Sequence, residues 1–342
     1  MPSLILSHNT LRVTLLSRRL EVTSRIKDGD GERTVASQVP LFDIDRVIVV
    51  GEPAFSMPAL MRLADEGIPV FFVSKYGKWR GSLLPDNNLN AGRRIRQYEQ
   101  VTNPDFGLKV ARRLVYAKLK NSRRVLQRMA ANRGLTNDPA YQQTDTLLRN
   151  HLAEVQTTDS LDVLRGIEGI GAAWYFRALG KYFPAALPFT ERNRRPPKDP
   201  ANALLSWSYT ILMGEMETAI RSHGLDAGIG CLHCDKLSSP SLALDLMEPL
   251  RPAIADLLVL NMVNHSMVKS TDHFEFREDG GVYLNADGRR AFFSLYEQTM
   301  LRRFTATKGD VHTDFRKVID GQVCEYLRAL ELNEEPQFFI LP

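Results

Sequence analysis

Gly81-Ser82-Leu83-Leu84-Pro85-Asp86-Asn87-Asn88 separates two textures of chain. Polar turn residues behind a proline mark a linker. Upstream the pattern is that of strands. Leu11-Arg12-Val13-Thr14-Leu15-Leu16 and Leu20-Glu21-Val22-Thr23 are short and β-prone, and Asp28-Gly29-Asp30-Gly31 is a hairpin-type turn. Val47-Ile48-Val49-Val50 is wholly apolar, which predicts a buried strand. A helix is expected over 58–66, closed by Gly67. Val70-Phe71-Phe72-Val73 and Gly81-Ser82-Leu83-Leu84 flank a second hairpin at Lys75-Tyr76-Gly77-Lys78. Downstream, helical periodicity takes over. Leu108, Val115, Leu119, Leu126 and Met129 share a face, with the arginines and lysines elsewhere, and Asn103-Pro104-Asp105 supplies a start. Leu205, Tyr209, Leu212 and Met216 form another stripe, ended at Gly224; Ile254, Leu257, Leu258 and Met262 form a third. The expected α+β architecture is a small N-terminal β-rich domain (1–85), a linker (86–102) and a larger all-helical domain (103–342).

No apolar run approaches the roughly 18 residues that span a bilayer, and no leader pattern opens the chain, so a cytoplasmic protein without membrane contact is expected. Three cysteines, Cys231, Cys234 and Cys324, do not make a secreted disulfide framework. The net charge of +4 hides an asymmetry: residues 91–134 carry 12 Lys/Arg against Glu99 and Asp105, a local +10, and the remainder sums to −6. A basic block in an otherwise acidic chain points to a polyanion, with a solvated basic helix as the plainer reading. Arginine forks fit phosphate oxygens. The candidates are Arg93, Arg94, Arg96, Arg112 and Arg113, with Arg192, Arg194 and Arg195 in the proline-basic loop that ends at Lys198, and Lys236.

Acids and an imidazole recur in three downstream stretches: Gly166-Ile167-Glu168-Gly169, Gly230-Cys231-Leu232-His233 and Leu244-Asp245-Leu246-Met247-Glu248. Carboxylates with one histidine make a hard O/N set suited to Mg²⁺ or Mn²⁺, which activates an attacking oxygen on a phosphodiester. Glu168 stands between small residues that permit close approach, at the mouth of an apolar helix; alone it also reads as a helix-start glutamate. His233 follows an apolar run and alone reads as a core histidine. Asp245 and Glu248, at i and i+3, share a helix face and repel unless a cation lies between them. Asp245 is the stronger ligand by this reading, because Arg251 sits three residues beyond Glu248 and can neutralise it. Cys231-Leu232-His233-Cys234 could begin a zinc site, but no second such pair follows.

The segment from Gly224 to Pro252, with Leu-His at 232–233 and Ser-Leu-Ala-Leu-Asp-Leu-Met-Glu at 241–248, resembles Cas1, the integrase of CRISPR adaptation. The Glu168 segment, Pro200-Ala201-Asn202-Ala203-Leu204-Leu205 and the Tyr76-Gly77 hairpin followed by Arg93 and Gln97 extend the resemblance over nearly the whole chain. It implies an N-terminal β-sandwich and a helical catalytic domain. Glu168, His233 and Asp245 would be metal ligands, Glu248 a further catalytic acid, and Lys236 a basic position. It also implies homodimers through the β domains, two of them flanking a Cas2 dimer that holds a short duplex. The expected function is a metal-dependent integrase, also an endonuclease on branched DNA. In it the 3′-hydroxyl of a spacer attacks a repeat phosphodiester in double-stranded DNA. A non-catalytic DNA-binding scaffold and a stand-alone nuclease are the rivals.

Overall fold

Val47-Ile48-Val49-Val50 alternates between two cores. Val47 and Val49 join the apolar residues of the N-terminal region, while Ile48 and Val50 join those of the helical region. A strand covered on both faces needs no polar side, which is why this run is continuously apolar. The computed structural model of the chain describes residues 3–28, 31–84, 90–194, 196–233, 239–305 and 312–342; side chains at 25–28 and 31–33 are excepted. The stretch Pro85-Asp86-Asn87-Asn88 lies outside the described residues.

The N-terminal region holds β1 (Ser3–Leu6), β2 (Arg12–Leu16), β3 (Arg19–Asp28), β4 (Gly31–Pro40), β5 (Arg46–Val50), β6 (Ala54–Phe55), α1 (Met57–Asp65), β7 (Val70–Val73) and β8 (Trp79–Leu83). They form two four-stranded sheets, ordered β4-β3-β2-β6 and β1-β5-β7-β8. Leu6, Val13, Leu20, Val47, Val49 and Val70 from both sheets, with Ala59 and Leu63 of α1, share one core. The Ser56 hydroxyl caps α1 by accepting from Ala59 N at 3.4 Å. On its other face, the second sheet presents Phe71 and Val73 beside Ile48 and Val50 to the helices.

The helices are α2 (Ala91–Val101), α3 (Pro104–Asn132), α4 (Pro139–Thr157), α5 (Leu161–Gly180), α6 (Pro200–Ser222), α7 (Ser241–Met247), α8 (Leu257–Asn264), α9 (Ser270–His273), α10 (Ala286–Leu301) and α11 (Phe315–Leu332). Two expectations need correction. The stretch read as linker contains α2, held because Gln97 donates to Asp226 O (2.9 Å) and Ile229 O (3.1 Å). The helical region is not all-helical: β9 (Phe274–Phe276) and β10 (Val282–Leu284) pair antiparallel, and β11 (Phe304–Thr305) pairs with β12 (His312–Thr313). Their two or three residues carry too little periodicity to register in a sequence pattern.

The two regions interlock. The Trp79 ring of β8 lies on Gly214 of α6, where a Cβ would come within 2.3 Å of it. Arg46 pairs with buried Glu215 at 2.7 Å, and Thr210 donates to Gly77 O at 3.0 Å. Among the described residues no helix is long and apolar enough to cross a membrane.

Candidate active site

Helices α3, α5, α6 and α7, the winding after α7 and the loop ending at His233 supply the site. From α3, Lys118 and Asn121 project inward at i and i+3, both buried among Leu114, Val115 and Leu119. Asn121 donates to Pro249 O (2.7 Å) and Phe339 O (2.9 Å) and accepts from Leu341 N (2.7 Å), which ties α3 to the turn after α7 and to the C-terminal tail. α5 supplies Glu168 from its interior, not from its mouth as the sequence suggested, since Ser160 caps that helix eight residues earlier. Neither Gly166 nor Gly169 has a described atom within 4 Å of a Cβ position, so these glycines leave open space beside Glu168. One turn earlier, Arg165 grips Leu232 O with two donors at 3.0 and 2.9 Å. After α7 the chain winds wider, as a π-helical segment from Arg251 to Asp256 led by Pro252.

Asp245 is wholly buried, and its carboxylate is a bracket for the preceding loop. Oδ2 accepts from Cys231 N (2.6 Å) and Leu232 N (2.8 Å); Oδ1 accepts from His233 N (3.0 Å) and meets His233 Nδ1 at 2.7 Å. A carboxylate only accepts, so a proton is assigned to Nδ1, which leaves Nε2 on the cavity side of the ring. The loop approaches this closely because residue 230 is glycine: a Cβ there would lie 2.6 Å from Asp245 Oδ2 and 2.8 Å from the Ser241 carbonyl carbon.

The other two acids meet a cation. The Lys118 ammonium contacts Glu168 Oε1 and lies 2.6 Å from Glu248 Oε2. Arg251 Nη1 is 2.9 Å from Glu248 Oε1, and His233 Nε2 is 4.0 Å from that oxygen. Glu248 Oε2 is buried, with the Lys118 ammonium as its close neighbour. Burial pushes the Glu248 carboxyl up, but Arg251, Lys118 and His233 outweigh it and bring it down to about 2. Burial likewise draws Lys118 down, and the Glu248 and Glu168 carboxylates hold it above its ordinary value. A cavity of about 420 Å³ opens over the group; Lys118, Glu168, His233, Glu248 and Arg251 line it. Asp245 is not among its described walls.

A further buried carboxylate, which sequence reasoning missed, lines the same cavity. Asp256 accepts from Tyr209 (2.6 Å) and Tyr175 (2.8 Å), and all three line the cavity. Burial raises the Asp256 carboxyl to about 6 despite those two phenols. Arg192 and Arg251 lie over the Tyr209 ring, 5.4 and 5.0 Å from its centroid. Lys118 was missed too, being counted with the outward basic residues. Its position between Val115 and Leu119 on the apolar stripe was the available signal.

The expected phosphate binders divide. Arg192 and Arg194 line the cavity, and Arg192 is anchored by donating to Asn202 Oδ1 (2.7 Å) and Ser206 Oγ (3.0 Å). Arg93, Arg96, Arg112 and Arg113 each donate to a backbone carbonyl elsewhere in the chain, of His223, Leu330, Gln156 and Pro336, so these guanidiniums also fasten helices together. Arg94 is partly exposed on α2. Arg195, Lys236 and Cys234 lie outside the described residues. Cys231 is buried.

Residues 4–298 match the family described as CRISPR associated protein Cas1. The chain belongs to the Cas1 family. A Thermus thermophilus relative, described as a CRISPR-associated endonuclease Cas1, is 35% identical over 306 residues, covering 90% of this chain and 88% of its own. Among solved structures, a casposase bound to an integration product superposes with a TM-score of 0.86 at 24% identity, over 100% of this chain and 94% of that one. A Cas6-RT-Cas1–Cas2 complex matches with a TM-score of 0.78 at 24% identity, over 99% of this chain and 36% of that one. These two likenesses show that the Cas1 fold seen here is shared.

Proposed function

We propose that the chain is a metal-dependent DNA integrase and endonuclease whose ion is held by Glu168, His233 and Glu248, with Asp245 as the brace that aims the imidazole. The observation that carries this reading is the pair of carboxylates gathered on one cation beside a fixed imidazole nitrogen. Two carboxylate donors and one imidazole suit Mg²⁺ or Mn²⁺. When bound, that ion supplies Lewis-acid polarisation of a phosphodiester.

The protein's own groups do the rest. Asp245 keeps the Nδ1 proton in place, a carboxylate–histidine pairing that orients a metal-ligating ring. Without the ion, Lys118 holds Glu168 and Glu248 together against their mutual repulsion; displaced from between them, it remains a positive charge in the cavity for a phosphate. Arg192, Arg194 and Arg251 add charge around the same space. The substrate class is double-stranded and branched DNA, with a 3′-hydroxyl attacking for integration and water for hydrolysis. The relative named as an endonuclease and the casposase bound to an integration product support both reactions. The complex titled with Cas2 supports a Cas2 partner. Self-association through the sheet-bearing region is supported by exposed Phe42, Met57 and Met61, which are 73%, 66% and 54% accessible.

The test is strand transfer of a 3′-hydroxyl duplex into a repeat-containing target with Mn²⁺. Wild type should transfer; His233→Ala, Glu168→Gln and Glu248→Gln should not, while duplex affinity stays within about tenfold because backbone contacts lie mostly elsewhere. Equal turnover in wild type and the three variants defeats the assignment.

A further inference from the structure

His223 closes the C-terminal end of α6, and its carbonyl accepts from Arg93 of α2 at 3.0 Å. Its ring points the other way, to α11, where Nε2 lies 2.7 Å from Asp320 Oδ1. Cys324 follows Asp320 by one turn on the same helix face, with Sγ 3.9 Å from Asp320 Oδ2. Among the described residues, the imidazole nitrogen, the carboxylate oxygen and the thiol sulfur all lie within 4.8 Å of one another.

We propose that His223, Asp320 and Cys324 form a second divalent-metal site, of the Zn²⁺ class, that staples the end of α6 to α11. The donor set chooses the metal. A thiolate with an imidazole and one carboxylate is borderline-soft, which suits Zn²⁺ and Co²⁺ and disfavours the Mg²⁺ of the catalytic cavity. Geometry is close to the demand: bonds of about 2.0–2.3 Å in a tetrahedron set donors about 3.3–3.8 Å apart. Rotation of the Asp320 and Cys324 side chains, both on the exposed side of α11, closes that difference. The Asp320 carboxylate is 60% accessible, so water completes the fourth position.

Without the ion, Asp320 sits between the two other donors and the thiol keeps its proton. Zinc-class ions bind the thiolate, so binding releases the thiol proton. The staple links α6, which carries Tyr209 of the cavity, to α11, whose Gln322 donates to Leu246 O in α7 at 3.1 Å. It is a positioning device distant from the reacting phosphate.

Cobalt titration of the metal-stripped full chain, read by the thiolate-to-Co²⁺ charge-transfer absorption, tests this directly. One equivalent should bind with that band, and Zn²⁺ should displace it. Cys324→Ser should abolish the band, and His223→Ala and Asp320→Asn should each weaken binding by at least about tenfold. Cys324→Ser should keep the metal-free Tm, since its side chain is exposed on α11. Glu168→Gln and the Cys231→Ala/Cys234→Ala double variant should leave the band intact. A band that survives Cys324→Ser, a band lost in the Cys231→Ala/Cys234→Ala variant, or no thiolate band in wild type overturns the proposal.

Discussion

Asp245→Asn separates a bracing role from a ligating one. The carboxylate accepts four contacts, two on each oxygen. An amide has one acceptor oxygen, so in either orientation its NH₂ faces two donors. If the NH₂ replaces Oδ2, it opposes Cys231 N and Leu232 N. If it replaces Oδ1, it opposes His233 N, and the ring relieves the second clash only by moving its proton to Nε2, which removes the lone pair the cavity needs. Two hydrogen bonds to a charged acceptor are lost, at about 1.5–3 kcal/mol each, a total of about 3–6 kcal/mol. That is a large share of the roughly 5–15 kcal/mol that holds a typical domain folded. Urea unfolding of the metal-free protein should show this loss, and Mn²⁺ affinity by EPR should fall about 10–100-fold, as expected for a lost ring-orienting partner. A variant whose metal-free stability stays within about 0.5 kcal/mol of wild type while Mn²⁺ binding vanishes would make Asp245 a ligand and refute the bracing argument.

Lys118→Met removes the ammonium that competes for Glu168 and Glu248. Metal-free stability should fall, because two carboxylates are left facing each other, while Mn²⁺ affinity measured by EPR should rise; weaker Mn²⁺ binding would place Lys118 outside the cation position. Gly230→Ala puts a Cβ against the Ser241 backbone and should cost about 1–3 kcal/mol by urea unfolding, with loss of strand transfer through the displaced His233 loop. Asp256 and Glu248 give opposite pH signatures. With a folded value near 6 against 3.8, Asp256 contributes stability that is fully present below pH 3.8 and lost as pH rises through 6. With a folded value near 2 against 4.5, Glu248 contributes stability that is present above pH 4.5 and lost as pH falls toward 2. Asp256→Asn should accordingly gain about 3 kcal/mol relative to wild type between pH 3.5 and 7, measured by urea unfolding at each pH; parallel pH curves would rule out the buried, phenol-bonded carboxylate.

Long, uniform elements are legible in the sequence. α3 runs from its Asn103 cap to Asn132 as one periodic stripe, and Val47–Val50 announced its burial by having no polar member. The short β9–β10 hairpin was not legible, because three-residue strands hold no period. At the site, the sequence gathered Glu168, His233, Asp245 and Glu248 but could not divide their labour. Asp245 and Glu248 lie one turn apart, and only the loop folding back from Gly230 decides that the first is enclosed by backbone N–H groups while the second faces the cavity. Arg251 seemed to weaken the claim of Glu248. In the fold it is one of the positive neighbours that keep that buried acid ionised. Lys118, Tyr175, Tyr209 and Asp256 converge from four segments, three of them helices whose inward residues otherwise read as core.

Anomalous diffraction from crystals soaked in MnCl₂ tests the central claim most directly. A single Mn²⁺ peak bonded to Glu168, His233 Nε2 and Glu248 is expected, with the Lys118 ammonium displaced and Asp245 still bound to the 231–233 backbone. Manganese coordinated by Asp245, or no peak among the first three residues at saturating Mn²⁺, would contradict it.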